Sequence, residues 1–282
     1  MLNPLLRAHD RWVPREHRAK LWEAYEAATW GWARLRDGRD LFTTVEVETN
    51  TDCNRRCRIC PVSTGPRPSG KMSDALYTNL LGQLAAINFR GRFSPVFYNE
   101  PLLDEKLERR MAEARRALPR SSLVVFTNGS LLTAETLVRL SDAGVDTFIV
   151  SQYARNLRAD EKRAREAIDR VSPRVRRKVR YRVLDDDDNL STSGGRVPVR
   201  HPVTKSMCIQ ASSSCVIDWK GDVVLCCNDY TTAHTFGNVG ETPLLDIWNA
   251  PAFRARRAAL RAGKFELAIC KACASGTLQV GA

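Results

Sequence analysis

The sequence predicts an α/β fold: a partial (βα)6 barrel of parallel strands with an N-terminal helical extension and a small C-terminal cysteine-rich β-hairpin and helix domain. Three observations carry this. Between residues 43 and 184, strand-like runs alternate with amphipathic helical ones, and repeated βα units imply parallel strands joined by right-handed crossovers. An acidic, small-residue stretch at 185–195 (DDDDNLSTSGG) then breaks the pattern. Six of the nine cysteines follow it, which marks a region organised by sulfur chemistry. The expected divisions are 1–42, 43–200 and 201–282.

Arg15 to Arg36 reads as an amphipathic helix, with Leu21, Trp22, Tyr25, Ala28, Trp32 and Leu35 near helical spacing and Gly38 ending it. Trp12, Trp22, Trp30 and Trp32 are expected to supply buried area. The barrel follows as strand Thr43 to Glu48, a cysteine loop, helix Asp74 to Asn88 and strand Ser94 to Tyr98. It continues as helix Asp104 to Leu118, strand Leu123 to Phe126, helix Ala134 to Ala143, strand Asp146 to Ser151, helix Asp160 to Val171 and strand Val179 to Leu184. Ligands of such a barrel gather at the strand C-terminal ends. Asp185 to Gly195 reads as a solvated loop, with a hard-cation site as the alternative. Cys215 to Trp219 and Val223 to Cys227 flank Lys220-Gly221-Asp222 as a β-hairpin, and one helix is expected from Pro243 through Leu260.

The 282 residues are 43% hydrophobic, ample for a core, and no apolar stretch approaches the roughly 20 residues of a membrane span. With no signal-peptide apolar region at Met1 to Arg7, a soluble cytoplasmic protein is expected. The formal charge is +12, and arginine is concentrated between Arg155 and Arg182. Such a field attracts anions, so an anionic small-molecule substrate, an acidic peptide or RNA would be drawn to it; a solvated helix face is the plainer reading.

Cys53, Cys57 and Cys60 lie in a CxxxCxxC run just after the first strand. Three thiolates on one short loop can hold three corners of an iron-sulfur cube and leave the fourth iron open to a ligand. Zinc is an alternative, but it wants a fourth ligand nearby, and after Cys60 none comes before His201 and Cys208. Disulfides do not suit a chain read as cytoplasmic. The motif resembles that of the radical S-adenosylmethionine (SAM) superfamily. The resemblance implies a 4Fe-4S cluster whose open iron chelates SAM, reductive cleavage to a 5'-deoxyadenosyl radical, and an external electron donor such as flavodoxin or ferredoxin.

The same resemblance implies the site residues. Tyr98-Asn99-Glu100-Pro101 looks like a variant of the superfamily's Gly-Gly-Glu-Pro motif, which makes Glu100 a ligand of the methionine ammonium. Asn128, Ser151 and Gln152 close the next two strands where groups near SAM are expected. Arg182 is placed to pair with the methionine carboxylate, suiting Arg geometry. Cys208, Cys226, Cys270 and Cys273 resemble the shortened SPASM, or twitch, extension, whose four thiolates ligate an auxiliary 4Fe-4S cluster; a four-cysteine zinc site is the alternative. The chain ends nine residues after Cys273, which disfavours the longer two-cluster form.

Cys215 and Cys227 remain. Cys227 falls on the opposite face of its strand from Cys226. Both read as small hydrophobes, or as hydrogen-atom donors if the enzyme is an epimerase. The cysteine layout is similar to that of radical SAM dehydrogenases that oxidise an aminocyclitol alcohol, implying oxidation or a related radical modification of a sugar, aminocyclitol or nucleoside in specialised metabolism. Radical modification of a ribosomal peptide, by epimerisation or crosslinking, is the alternative; no leader-binding domain is evident. A metal-stabilised RNA-binding or interaction protein fits the charge but does not explain a three-ligand first site, so no nucleic-acid partner is expected.

Overall fold

The computed structural model describes residues 40–153, 158–184 and 189–279, with helical positions 24, 27, 28, 30–32 and 35 ahead of them. The strands are β1 (Thr44–Val47), β2 (Arg92–Ser94), β3 (Ser122–Thr127), β4 (Thr147–Gln152), β5 (Val179–Val183), β6 (Asn189–Leu190), β7 (His201–Pro202), β8 (Ser214–Ile217), β9 (Asp222–Val224) and β10 (Thr235–Asn238). The helices are α1 (Asp74–Ala86), α2 (Leu107–Ala117), α3 (Ala134–Asp142), α4 (Ala159–Arg170), α5 (Pro173–Arg176), α6 (Gln210–Ser213), α7 (Leu244–Asn249), α8 (Pro251–Arg261) and α9 (Ala268–Ser275).

One sheet runs β10-β9-β8-β1-β2-β3-β4-β5, and the six strands from β8 through β5 are parallel. The sixth parallel strand comes from beyond residue 200. β8 pairs with β1 from Thr44↔Ser214 to Val47↔Ile217, while β6 and β7 form a separate two-stranded sheet. The expected hairpin is therefore part of the barrel sheet, with β9 antiparallel to β8.

Period-two alternation sorts the strand residues into two environments. Val45, Val47, Phe93, Leu123, Val125, Phe148, Val150, Cys215 and Ile217 face outward into one core with Leu80, Leu84, Met111, Leu137 and Leu140 of the helices. The alternate positions Glu46, Phe126, Ser151 and Arg182 line an interior cavity. Side-chain caps start the helices: Ser73 accepts from Leu76 N, and Thr133 from Thr136 N.

Several expected boundaries shift for identifiable reasons. β2 ends at Ser94 rather than Tyr98, because Pro95 has no N–H to continue the ladder. The helix expected from Pro243 to Leu260 is two helices: Ala250 is extended (ψ 135°) and Pro251 opens α8, as the residue before a proline avoids helical geometry. Most of the expected N-terminal helix lies outside the described residues, as do Asp185 to Asp188. Of its described positions Trp30 is buried, whereas Trp32 and Leu35, expected on the apolar side, are exposed. Arg261 stacks 4.9 Å from the Trp30 ring.

Gly91 sets the spacing between β1 and β2. A Cβ there would stand 2.1 Å from Thr43 O and 2.6 Å from the Phe89 ring, while Arg92 N donates to Thr43 O at 2.9 Å. Gly91→Ala is expected to destabilise the chain by about 1–3 kcal/mol through overpacking. Urea unfolding under reducing conditions will measure it, and an unchanged midpoint would contradict this role.

Candidate active site

The loop after β1 carries the first cysteine set. Cys60 N donates to Cys57 O at 2.9 Å and Ser63 N to Cys60 O at 3.0 Å, so the motif folds as consecutive tight turns. Cys53, Cys57 and Cys60 are half-buried and line a cavity of about 270 Å³ at the strand C-terminal ends. Burial, then the neighbouring Cys60, pushes the Cys57 thiol up to about 11. A bound cationic centre reverses that balance, because the thiolate is the ligand form.

Glu100 lies at the centre of the strand ends and is 2% exposed. Oε1 accepts from Thr127 Oγ1 at 2.7 Å and Leu102 N at 3.1 Å, and Oε2 from Asn128 N at 2.7 Å. Burial raises its pKa against these three donors. Its own N–H donates to Asp52 O at 2.8 Å, tying the motif to the cysteine loop. Where glycines were expected, Asn99 makes the turn with its side chain: Oδ1 accepts from Phe97 N at 2.9 Å.

Asn128 lines the cavity and donates from Nδ2 to Asn54 Oδ1 at 3.0 Å. Ser151 and Arg182 line it as register partners, Arg182 Nε donating to Ser151 Oγ at 3.0 Å. Gln152 points the other way, accepting from Tyr181 Oη at 2.9 Å and Arg165 Nη2 at 3.3 Å, as the residue after an inward-facing serine must. Of the basic run at residues 174–182, only Arg182 reaches this cavity; Lys178 instead binds the Ser141 and Val145 carbonyls.

Four charged groups at or beside the site were not singled out from sequence: Arg55, Glu48, Arg67 and Glu46. Arg55, within the cysteine motif, is buried and clamps Asp160 (2.6 Å) and Glu161 (3.1 Å) at the start of α4. Glu48, wholly buried, takes both terminal nitrogens of Arg67: Nη1 donates to Oε2 at 3.2 Å, and Nη2 to Oε1. The Arg67 guanidinium also lies 5.2, 5.7 and 5.2 Å from the Phe97, Tyr98 and Tyr230 rings, while Tyr230 Oη donates to Gly65 O at 2.8 Å. Glu46, 8% exposed, accepts from Arg92 Nη2 at 2.7 Å. Acids at positions 46 and 48, alternating with Val45 and Val47, were the available signal, since neither can face water in a covered parallel sheet.

The second cysteine set lies beside the hairpin. Cys270 and Cys273 share a face of α9 and line a smaller apolar cavity with Cys208 and Cys226. Asn228 Nδ2 donates to Cys273 Sγ at 3.4 Å. Burial pushes Cys270 up to about 12 and Cys226 well above its ordinary value. Cys227 projects instead into the first cavity, and Cys215, fully buried, belongs to the outer core. Among the described residues no three His, Cys, Asp or Glu side chains are gathered to hold a single metal ion. A parallel barrel with one three-thiol loop facing the strand ends and four thiols behind its edge defines an iron-sulfur enzyme architecture.

The family comparisons give this class its name. Residues 47–183 match the radical SAM superfamily and residues 208–274 an iron-sulfur cluster-binding SPASM domain. The chain is 34% identical over 245 residues to the S-adenosyl-L-methionine-dependent 2-deoxy-scyllo-inosamine dehydrogenase of Niallia circulans, spanning 85% of this chain and 95% of that one. The crystal structure of BtrN in complex with AdoMet and 2-DOIA superposes with a TM-score of 0.75 at 33% identity, over 86% of this chain and 96% of that one. The structure of anSMEcpe with bound AdoMet (TM-score 0.55, 14% identity, 79% and 81% coverage) shares the fold. The chain belongs to the radical SAM superfamily and is a radical SAM enzyme with a SPASM-type C-terminal domain. Among the described residues no helix is long and apolar enough to cross a membrane.

Arg67→Ala leaves Glu48 buried and unpaired, so a loss of about 3–5 kcal/mol is expected on chemical unfolding; a loss below about 1 kcal/mol would contradict the pairing. Burial, opposed by Arg67, places Glu48 at about 7 in the folded chain against 4.5. The folded form therefore holds the extra proton between these values, and this contribution to stability falls as pH rises from 4.5 to about 7. Glu48→Gln is expected to remove that slope from unfolding curves measured across the interval.

Proposed function

We propose that this enzyme oxidises an alcohol carbon of an aminocyclitol or a closely related amino-bearing polyol. One observation carries the reading: adjacent residues face two cavities, Cys226 the four-thiol cage and Cys227 the space in front of the three-thiol loop. A dehydrogenase needs this proximity, because after one hydrogen atom is removed the substrate must still lose an electron. The 34% identity to the 2-deoxy-scyllo-inosamine dehydrogenase supports the substrate class.

The donor sets fit two iron-sulfur clusters. Both are all-thiol, the soft donor set that iron-sulfur clusters take. Cys53, Cys57 and Cys60 would hold a 4Fe-4S cluster with an open iron, and Cys208, Cys226, Cys270 and Cys273 a fully ligated auxiliary cluster. When bound, the first cluster and SAM supply a 5'-deoxyadenosyl radical, given an electron from a flavodoxin- or ferredoxin-type donor.

This chain's residues do the positioning. Glu100, fixed by three donors, presents its remaining acceptor capacity to the methionine ammonium. Arg182, aligned by Ser151, offers its guanidinium to the carboxylate. Asn128 joins this wall to the cysteine loop through Asn54. Gln152 has no direct part, since its side chain lies on the helix side of the sheet. The place of Cys215 in the outer core supports a packing role for it, and Cys227 serves as a wall residue.

Anaerobic reconstitution should yield about eight irons by ligand count. Substituting Cys53, Cys57 and Cys60 with alanine should leave about four and abolish SAM cleavage; stoichiometric zinc without iron would sink the reading. Glu100→Gln is expected to weaken SAM binding roughly ten- to hundredfold at unchanged iron content, and unchanged affinity on titration would remove Glu100 from the site. Cys270→Ala with Cys273→Ala should stop ketone formation while uncoupled SAM cleavage continues. Turnover in heavy water should place no solvent deuterium at the reacting carbon; incorporation would favour epimerisation.

A further inference from the structure

The oxidation just proposed leaves one chemical demand unmet by the groups assigned so far. Removing a hydrogen atom from a carbinol H–C–OH leaves a carbon radical that still bears its hydroxyl. Forming the carbonyl then requires loss of one electron and of the hydroxyl proton. The electron has an acceptor of stated class, the iron-sulfur cluster of the four-thiol cage. The proton needs a base in the same cavity, close to the wall that separates the cavity from that cage.

We propose that Glu46 is this general base: its carboxylate takes the hydroxyl proton of the substrate radical as the electron leaves for the auxiliary cluster. Glu46 is on β1, 8% exposed, and lines the cavity together with Cys227. Its partner, Arg92 Nη2, engages Oε1 at 2.7 Å, so Oε2 is the oxygen available to substrate. The other carboxylate lining the cavity, Glu100, is committed to three donors at the SAM wall, and Glu48, which does not line it, is paired with Arg67. The step balances. One hydrogen atom goes to the adenosyl radical, one electron to the cluster and one proton to Glu46, while the substrate C–O bond becomes C=O.

The surroundings favour proton uptake by this carboxylate over an exposed one. Burial raises the Glu46 pKa and Arg92 opposes the rise. Cys227, Tyr98, Glu100, Tyr153, Arg55 and Arg182 line the same cavity, and the Glu46 charge discourages deprotonation of Cys227 and, through the sheet, of Cys215 in the outer core. Further along the same strand the Glu48–Arg67 pair is closed on itself. A base works best when its pKa lies near the operating pH, and a positioned one contributes about 10²–10⁴-fold.

This inference rests on the dehydrogenase reading, and the experiment separates the two. Reconstituted wild type and Glu46→Gln are given SAM, reductant and 2-deoxy-scyllo-inosamine deuterated at its carbinol carbons. The variant should bind substrate within about threefold of wild type by equilibrium dialysis and still move deuterium into 5'-deoxyadenosine, because abstraction precedes the base's step. Ketone formation should fall at least about a hundredfold, and the acid limb of the wild-type rate–pH profile should vanish. Ketone formed at the wild-type rate with the limb intact overturns the assignment. So does weaker binding with an unchanged limiting rate, which makes Glu46 an anchor for the substrate amine. Failure of wild type itself to transfer deuterium overturns the dehydrogenase reading together with this inference. If Glu46→Gln does not fold, Glu46→Asp retains the carboxylate and should keep the limb at a reduced rate; a limb lost in a folded Asp variant counts against the base.

Discussion

The buried ion pair between Glu48 and Arg67 is the interaction on which the site depends. A parallel strand covered on both sides has no face for water, so the acid two residues beyond Glu46 must be neutralised where it stands. Arg67 does this from the far end of the cysteine loop. Its guanidinium is boxed by Phe97, Tyr98 and Tyr230, so one charge holds four segments together: β1, the loop, the end of β2 and the C-terminal region. The faces of these rings offset part of the cost of burying the guanidinium through cation–π attraction.

Within that frame the site is organised as two walls. One is made of strand-end hydrogen bonds around Glu100, Asn128, Ser151 and Arg182, of which Glu100 and Asn128 are tied to the cysteine loop through Asp52 and Asn54. The other is the β1–β8–β9 edge, where Glu46 and Cys227 face the cavity and Cys226 faces the cage. Rigid elements carry both walls, which is how a radical reaction keeps its geometry when a sub-ångström shift would redirect the chemistry.

Much of this was legible in the sequence, and the exceptions have physical causes. The cysteine spacing, the βα alternation and Glu100 could be read because each is local: a loop, a period, a strand-end acid. Pro95 and Pro251 moved boundaries by rules that were present in the sequence but outweighed in the reading by hydrophobic periodicity. Gln152 was misplaced by one position of alternation, enough to turn a side chain from cavity to helix. Glu46, Arg55 and Arg67 were invisible because their importance is pairwise and nonlocal: Arg55 finds its partners 105 and 106 positions away. The placement of β8 beside β1 is of the same kind, since no local signal says which strand edge a distant hairpin will seek.

That placement bears on how the protein is made. β1 leaves the ribosome about 170 residues before β8 (Thr44 pairs with Ser214), and until then one of its edges carries unpaired amide and carbonyl groups, a known invitation to misassociation. The cavity wall that holds Cys226 and Cys227 does not exist during that interval. The three-cysteine loop is therefore complete in sequence well before the wall that shields its cavity on that side.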